Sequence, residues 1–452
     1  MDRRDFFRHG TLTTVGLGAG LTILNHSASV YGNPANNKVN LGIIGCGGRG
    51  TQLTGDFVKR DDVNILYCCD AVLPNAERAA KLVKESELSQ SPKLTQDIRV
   101  VLDDPEVDAV VCATPDHWHA LGCVWACQAG KDVYTEKPAS HSAWEGQKMV
   151  EAARKYKRVV QLGIQNRSAP YNFAAKKYID EGKLGKVHFC RIYNMKQLWD
   201  FKMAPFEEPP QTINWDLWLG PAAQRTYSPT YPGCWHFLWD FSSGDMINDG
   251  IHQIDLARWL IGKELPKSAY CVGGRFASNG DGETPDTQTA VYEYDDLTMT
   301  FELTLCTPYM LKTDPIVRNS DMFPYWLQNA TRIEIYGTEG MMIVGRHGGG
   351  WEVYVRPKDR TPVVKQSAYG RFPDPEHKEN FLSCIRSREI PNGDIEAGHR
   401  STLLAHYATI SYRMGGKKIL VNRENGAIQD EPDSAKYFKR AYRIPFEVPA
   451  EV

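Results

Sequence analysis

The sequence has little charge to spare in either direction: 53 basic residues stand against 55 acidic ones over 452 positions, and no polybasic run appears. Without such a run it lacks the electrostatic footprint of a partner for nucleic acid or for an anionic membrane surface. Its eleven cysteines include no Cys-x-x-Cys pair and show no Cys/His spacing suited to zinc. Several of them, such as Cys68, Cys69, Cys112 and Cys127, fall inside apolar segments and read as small core residues instead of a disulfide framework. Internal repeats and low-complexity tracts are missing too. No apolar run reaches the ~20 residues that a membrane span requires.

The N-terminal residues hold Arg3 and Arg4, then a mild apolar stretch at 11–24 with three Gly and four Thr, then small and polar residues at Ser27, Ala28 and Ser29. That order resembles a twin-arginine export signal, with cleavage expected between Ala28 and Ala35 and a periplasmic or otherwise exported mature protein. The rival readings are a membrane anchor and a disordered basic start. The remaining length suits two or three domains.

At residues 39–50 an apolar strand runs into the glycine pattern Gly45-x-Gly47-x-x-Gly50. Gly45 permits a tight turn, Gly47 lets the backbone approach a pyrophosphate, and Gly50 lets the next helix pack close to the strand. The phosphates would sit at the helix N-terminus, where free N–H groups favour anions. A second apolar run ends at Asp70, 20 residues after Gly50. An acid there accepts hydrogen bonds from the adenosine ribose hydroxyls and repels a 2′-phosphate. No Arg or Lys stands between Asp70 and Glu77, so the reading is NAD(H) in preference to NADP(H).

Strands and helical stretches then alternate up to residue 165, which implies a Rossmann doubly wound parallel sheet. Two chemically loaded segments fall at strand ends: Thr114-Pro-Asp-His-Trp-His119 and Thr135-Glu-Lys-Pro138. From residue 166 the texture changes to long alternating strands with turn signals, which implies an α+β domain with a largely antiparallel open sheet. The expected boundaries are 1–35 for the export signal and linker, 36–165 for the NAD-binding domain, 166–420 for the substrate and oligomerisation domain, and 421–452 for a tail. Residues 198–240 are rich in Pro and Trp, and segments this long are commonly binding loops. Trp215 and Trp218 have the spacing of a packed helix face, which leaves Trp199, Trp235 and Trp239 as candidates for a sugar platform.

The glycine loop, Thr114 to His119, Glu136-Lys-Pro138, the stretch Gly244-Asp-Met-Ile-Asn-Asp-Gly-Ile-His252-Gln-Ile-Asp255 and Gly337-Thr-Glu-Gly340 occur in an order that resembles the Gfo/Idh/MocA oxidoreductase family across residues 38–420. The resemblance implies an NAD-dependent oxidoreductase acting on a sugar, glycoside or cyclitol. It places Lys137 near the nicotinamide and the substrate hydroxyl and makes His252 the second proton-handling group. Asn248 and Asp249 complete the expected catalytic set. The family commonly has Asp where this chain has Asn248, and an amide orients a hydroxyl but does not titrate. Asp255 either orients the imidazole or is an ordinary partner within one helix expected over residues 248–261.

The cofactor contacts implied are Gly45, Gly47, Gly48, Arg49, Gly50, Asp70, Thr114, Pro115, His117, His119, Glu136, Lys137 and Gln165. Trp118, Asn166, Arg167, Trp235, Asn248 and His252 join Lys137 on the substrate side. His117 and His119 have H-x-H spacing but no third ligand, so no metal is expected. Asp116 reads as a cleft residue or a helix cap.

Export after folding makes loose NAD a poor fit, because free NAD is scarce outside the cytoplasm. The cofactor is therefore expected to be tightly held and the turnover closed on itself. Alternatives are a redox-neutral glycoside hydrolase or epimerase working through a keto sugar, and a non-catalytic sugar sensor. Self-association through the open sheet is expected as well.

Overall fold

The computed structural model of the protein describes residues 38–197, 200–357 and 359–452. The stretch expected to be an export signal and linker, 1–35, and Trp199 lie outside the described residues.

Six strands build the first sheet: β1 Val39–Ile44, β2 Val63–Cys69, β3 Lys93–Thr95, β4 Ala109–Cys112, β5 Asp132–Thr135 and β6 Val160–Leu162. The helices between them are α1 Gly48–Phe57, α2 Leu73–Lys84, α3 Ile98–Asp103, α4 Asp116–Gln128 and α5 Ala143–Lys155. All paired strands are parallel, in the order β3-β2-β1-β4-β5-β6. Leu41, Ile43, Val110 and Val111 are fully buried, as unbroken apolar strands covered on both faces should be.

The strand order reverses between β1 and β4, which opens a crevice at their carboxyl ends. The hydrogen-bond ladder continues past the strands into that crevice. Gly45 N donates to the Cys69 carbonyl, Ala113 N to Ile44 and Glu136 N to Cys112, each at 2.8 Å. Gly45, Asp70, Thr114 and Glu136 are thereby brought to the same end of the sheet.

The chain then runs through α6 Pro170–Asp180, β7 Val187–Met195, α7 Trp215–Leu219, α8 Tyr231–Cys234, α9 Asp245–Asn248 and α10 Ile251–Leu260. Strands β8 Ser268–Gly274, β9 Thr287–Glu293 and β10 Thr298–Thr304 follow, then α11 Pro315–Arg318. Next come β11 Arg332–Gly337, β12 Met341–Gly345, β13 Trp351–Val355 and β14 Val363–Ala368. Helices α12 Asp374–Ser387 and α13 Ile395–Arg413 precede β15 Ile419–Val421 and β16 Ile428–Gln429, and α14 Ala435–Phe438 comes last.

The second sheet has ten strands in the order β14-β13-β12-β11-β7-β10-β9-β8-β15-β16. Among the described residues of this sheet only β7 and β10 pair in parallel, and α10 and α13 pack on it. Strand β16 falls in the 421–452 segment expected to be a tail, and its two residues are too few to carry an alternation.

Two features depart from the expected boundaries. Helix α12 falls within the span expected for the second domain, yet its Phe381, Leu382 and Ile385 share a core with Ile43 of β1 and Phe57 of α1. The 421–452 segment is anchored: Phe446, Val448 and Val452 join the core around Trp118 and Val124. Burying a side chain the size of Phe446 is worth about 1.5–3 kcal/mol.

The helix expected over 248–261 is broken as well. It consists of α9 and α10 separated by Asp249 and Gly250. Any side chain at Gly250 would meet the Met246 carbonyl oxygen and the Phe301 ring, both 2.5 Å from a Cβ. Glycine allows this close crossing over β10, and the break redirects Asn248 relative to His252.

Candidate functional site

The glycine loop has the form that a dinucleotide requires. Gly45 has φ +82°, and a Cβ there would meet the Ala113–Thr114 backbone at 2.6 Å. A Cβ on Gly50 would lie 1.8 Å from the Gly45 carbonyl oxygen, so α1 approaches β1 as only glycine allows. Gly47 and Gly48 face open space within 4 Å, leaving the start of α1 clear for a pyrophosphate. These glycines fit NAD. Asp70 stands at the same rim, accepting from Cys46 N (2.7 Å) and Val72 N (2.8 Å), with Asn75 Nδ2 at 3.4 Å. Arg78, one residue past Glu77, donates to the Cys46 carbonyl (3.1 Å) and so brings a cation to this rim.

One cleft runs from Asp70 past the glycine loop, Thr114 and Pro115 to Lys137, Asn248 and Trp235. Arg49 and Glu136 line it as an ion pair (2.7 Å), and Arg49 also bonds Asp374 (3.0 Å). This pairing fixes the Arg49 cation beside the phosphate-binding loop. Gln165 is buried next to it; with its amide turned so that nitrogen meets the Gly163 carbonyl (3.0 Å), its oxygen accepts from Arg49 (2.9 Å).

At the far end Lys137, whose peptide bond to Pro138 is cis, donates from Nζ to the Asn248 backbone carbonyl. The Asn248 side chain donates from Nδ2 to both oxygens of Asp116 (3.2 and 3.4 Å). Asp116 is buried, lines the cleft and also accepts from Ser242 Oγ (2.6 Å). It does not cap α4. Burial pushes its carboxyl up from the ordinary carboxylate value, against the pull of His119, Lys137, Ser242 and Asn248.

His252 is buried close enough to Lys137 and Arg346 to feel both charges, and its Nδ1 has no partner. Burial first, then those cations, hold its pKa well below the usual histidine value, so the imidazole is neutral. Asn166 is also buried with neither amide atom partnered.

Other expected site residues take structural positions. Asp249 is held between Lys196 (2.7 Å) and Arg346 (3.0 Å), and Lys196 also bonds Asp245 (2.9 Å). The lysine and arginine keep the Asp249 carboxyl ionised far below its usual range despite burial. Arg167 forms a buried fork with Asp255 (2.9 Å), which also accepts from Ser401, so Asp255 serves these partners and not the imidazole.

His117 lies against Trp218 and Phe241, its Nε2 is 3.0 Å from the Trp218 carbonyl oxygen, and burial lowers its pKa to about 3. His119 directs its two ring nitrogens at the Pro138 and Thr114 carbonyls (2.7 and 2.9 Å). Neither histidine lines the cleft. Among the described residues no group of three His, Cys, Asp or Glu is arranged to hold a metal ion.

The Trp-rich stretch supplies a wall that its composition alone did not locate. Residues 212–214 bond along the start of α2: Leu73 N to the Thr212 carbonyl (2.9 Å) and Asn214 N to Ala71 (2.8 Å). Farther along, Trp118 Nε1 donates to the Leu217 and Trp218 carbonyls (3.0 and 3.2 Å). Trp215 and Trp218 stack at 4.8 Å in the core, and Trp218 also lines the cleft. Trp239 instead packs under Arg413, 4.7 Å from its ring centroid.

The pattern of the oxidoreductase family with an NAD-binding Rossmann fold matches residues 39–164, and that of the GFO/IDH/MocA C-terminal domain matches 173–343. The chain belongs to the Gfo/Idh/MocA family. It is an NAD-dependent oxidoreductase. Among its relatives, scyllo-inositol 2-dehydrogenase (NAD(+)) of Bacillus subtilis is 24% identical over 366 residues, 78% of this chain and 88% of that protein. Across eight related proteins the matched share of the relative's own length runs from 37% to 94%, and it is 41% for a levoglucosan dehydrogenase and 55% for an inositol 2-dehydrogenase.

Two solved structures superpose over 85% of the chain. Levoglucosan dehydrogenase in complex with NADH and levoglucosan has a TM-score of 0.63 at 18% identity, with 99% of that chain covered. Aldose-aldose oxidoreductase from Caulobacter crescentus gives 0.63 at 16%, with all of that chain covered. These two show the fold alone.

Proposed function

We propose that the protein oxidises a ring CH–OH of a sugar, glycoside or cyclitol. The observation that carries this reading is the meeting of Lys137 with Asn248 at the end of an NAD-shaped cleft. NAD, when bound, supplies the hydride acceptor. Lys137 handles the hydroxyl proton, an arrangement worth roughly 10²–10⁴-fold in rate. The neutral His252 and the unpartnered Asn166 offer further hydrogen bonds to ring hydroxyls, and relatives named for inositol and levoglucosan support that substrate class. The test is a panel of sugars, glycosides and cyclitols read by NADH absorbance and by product analysis. Steady NADH formation supports net oxidation; NAD binding without conversion of any member would point to a sensor.

A second reading has its own observation. The wall at 212–218 is bonded at both ends, to α2 and to Trp118. We infer that it retains NAD between turnovers, which goes with export by the twin-arginine route implied by Arg3 and Arg4 and with a redox-neutral cycle. Protein purified without nucleotide and then denatured should release near-stoichiometric NAD(H). Nucleotide-free protein that turns over only with added NAD would leave an ordinary dehydrogenase. Self-association belongs to the same proposal: Tyr270, Val272 and Leu420 are exposed on strands of the second sheet, and light scattering should give a mass above one chain.

A further inference from the structure

We propose that Asp116 is a positioning residue for the proton-handling group, acting on Lys137 through Asn248. Among the described residues three carboxylates line the cleft: Asp70, Asp116 and Glu136. Asp70 is bonded at the opposite end to Cys46 N and Val72 N, and Glu136 is paired with Arg49. Asp116 is the carboxylate left to balance Lys137.

The connection runs through one residue with two roles. The Asn248 backbone carbonyl receives the Lys137 ammonium, and its side-chain amide donates to Asp116. A carboxylate only accepts, so Asp116 turns the amide nitrogen inward and leaves the amide oxygen as the atom Asn248 offers to a substrate hydroxyl. Ser242, itself buried, fixes Asp116 at 2.6 Å and holds this arrangement from behind. A negative charge one residue removed from the substrate thus steadies the lysine, while a neutral acceptor meets the hydroxyl. Placing the charge at position 248 would crowd it against Asp116 in a desolvated site, where like charges strongly oppose each other.

The proposal rests on Lys137 as the proton-handling group, and its test uses no sugar, so it does not depend on the substrate. The purified full chain is treated briefly with an acetylating N-hydroxysuccinimide ester at pH 8. Acetylation of Lys137 is then read by peptide mass spectrometry against exposed Lys59 as internal standard.

Removing the balancing carboxylate in Asp116→Asn should raise Lys137 acetylation threefold or more. Adding a second carboxylate in Asn248→Asp should lower it. The double variant, which moves the charge from 116 to 248, should return labelling to within twofold of the parent. Unchanged labelling in a normally melting Asp116→Asn protein overturns the idea, as does a double variant that labels like Asp116→Asn. If Asp116→Asn does not fold, Asn248→Asp decides alone: unchanged or faster labelling overturns the proposal.

Discussion

At the residue scale the site separates groups that face chemistry from groups that hold the fold. Lys137→Ala and His252→Ala should each lower turnover by roughly 10²-fold or more on an active sugar, with NADH affinity kept, as expected for lost proton handling. Stopped-assay kcat together with NADH fluorescence titration checks both halves; retained turnover in both variants would place the chemistry elsewhere. Arg167 should behave in the opposite way. Its fork to Asp255 is buried, so Arg167→Met strands a carboxylate and should cost about 3–5 kcal/mol of stability. Chemical denaturation should show that loss, while Michaelis constants of the remaining folded enzyme stay close to the parent. Asp70 makes the cofactor preference testable: Asp70→Ala should narrow the gap between NAD and NADP affinity, read by calorimetry.

At the element scale the segment at 212–220 is the part whose role depends most on contacts across the chain. Gly220 has φ +45°, and a Cβ there would lie 2.2 Å from the Trp118 ring. The indole stays in reach of the Leu217 and Trp218 carbonyls because nothing intervenes at that point. Trp118→Phe keeps an aromatic ring but removes the one indole N–H shared between the two carbonyls, a hydrogen bond worth about 0.5–1.5 kcal/mol. NADH release measured by stopped-flow fluorescence should accelerate several-fold in this variant. An unchanged release rate would mean that this wall does not hold the cofactor. The tail contributes here as well, since Arg443 bonds the Asp216 side chain and backbone while Phe446 packs on Trp118.

At the scale of the whole molecule, buried histidines set the response to acid. Burial lowers the pKa of His117 and His406 to about 3 and that of His377 and His399 to about 4. Unfolding returns each to the ordinary value near ~6.5, so below that pH the unfolded chain binds more protons and stability falls until the folded values are passed. Each fully uncompensated histidine contributes about 1.4 kcal/mol per pH unit in that window. The melting temperature should therefore be nearly flat from pH 8 to 7 and fall steeply from pH 6 to 4. A flat profile down to pH 4 would mean that these imidazoles are hydrated or paired.

Local pattern determined much of this protein from the sequence alone. The glycine spacing, the acid at position 70 and the alternation of apolar strands with helices are consequences of backbone geometry over a few residues. They led to the parallel sheet, the NAD cleft and its rim. The segment carrying Lys137 was visible for the same reason, at a strand end, whereas Asn248 and His252 were legible through the family resemblance of the glycine-flanked stretch 244–255.

What only the tertiary structure decided is which side chains meet across long separations. Asp116 and Asn248 are 132 positions apart, Arg49 and Asp374 are 325, and Trp118 and Leu217 are 99. No periodicity encodes such pairs. The break at Gly250, between two helices, likewise depends on Phe301 of strand β10. Charge balance at Lys137, the diversion of Asp249 and Arg167 into buried ion pairs, and the wall beside the cofactor cleft all follow from packing, because burial forces each polar group to find a partner wherever the fold brings one.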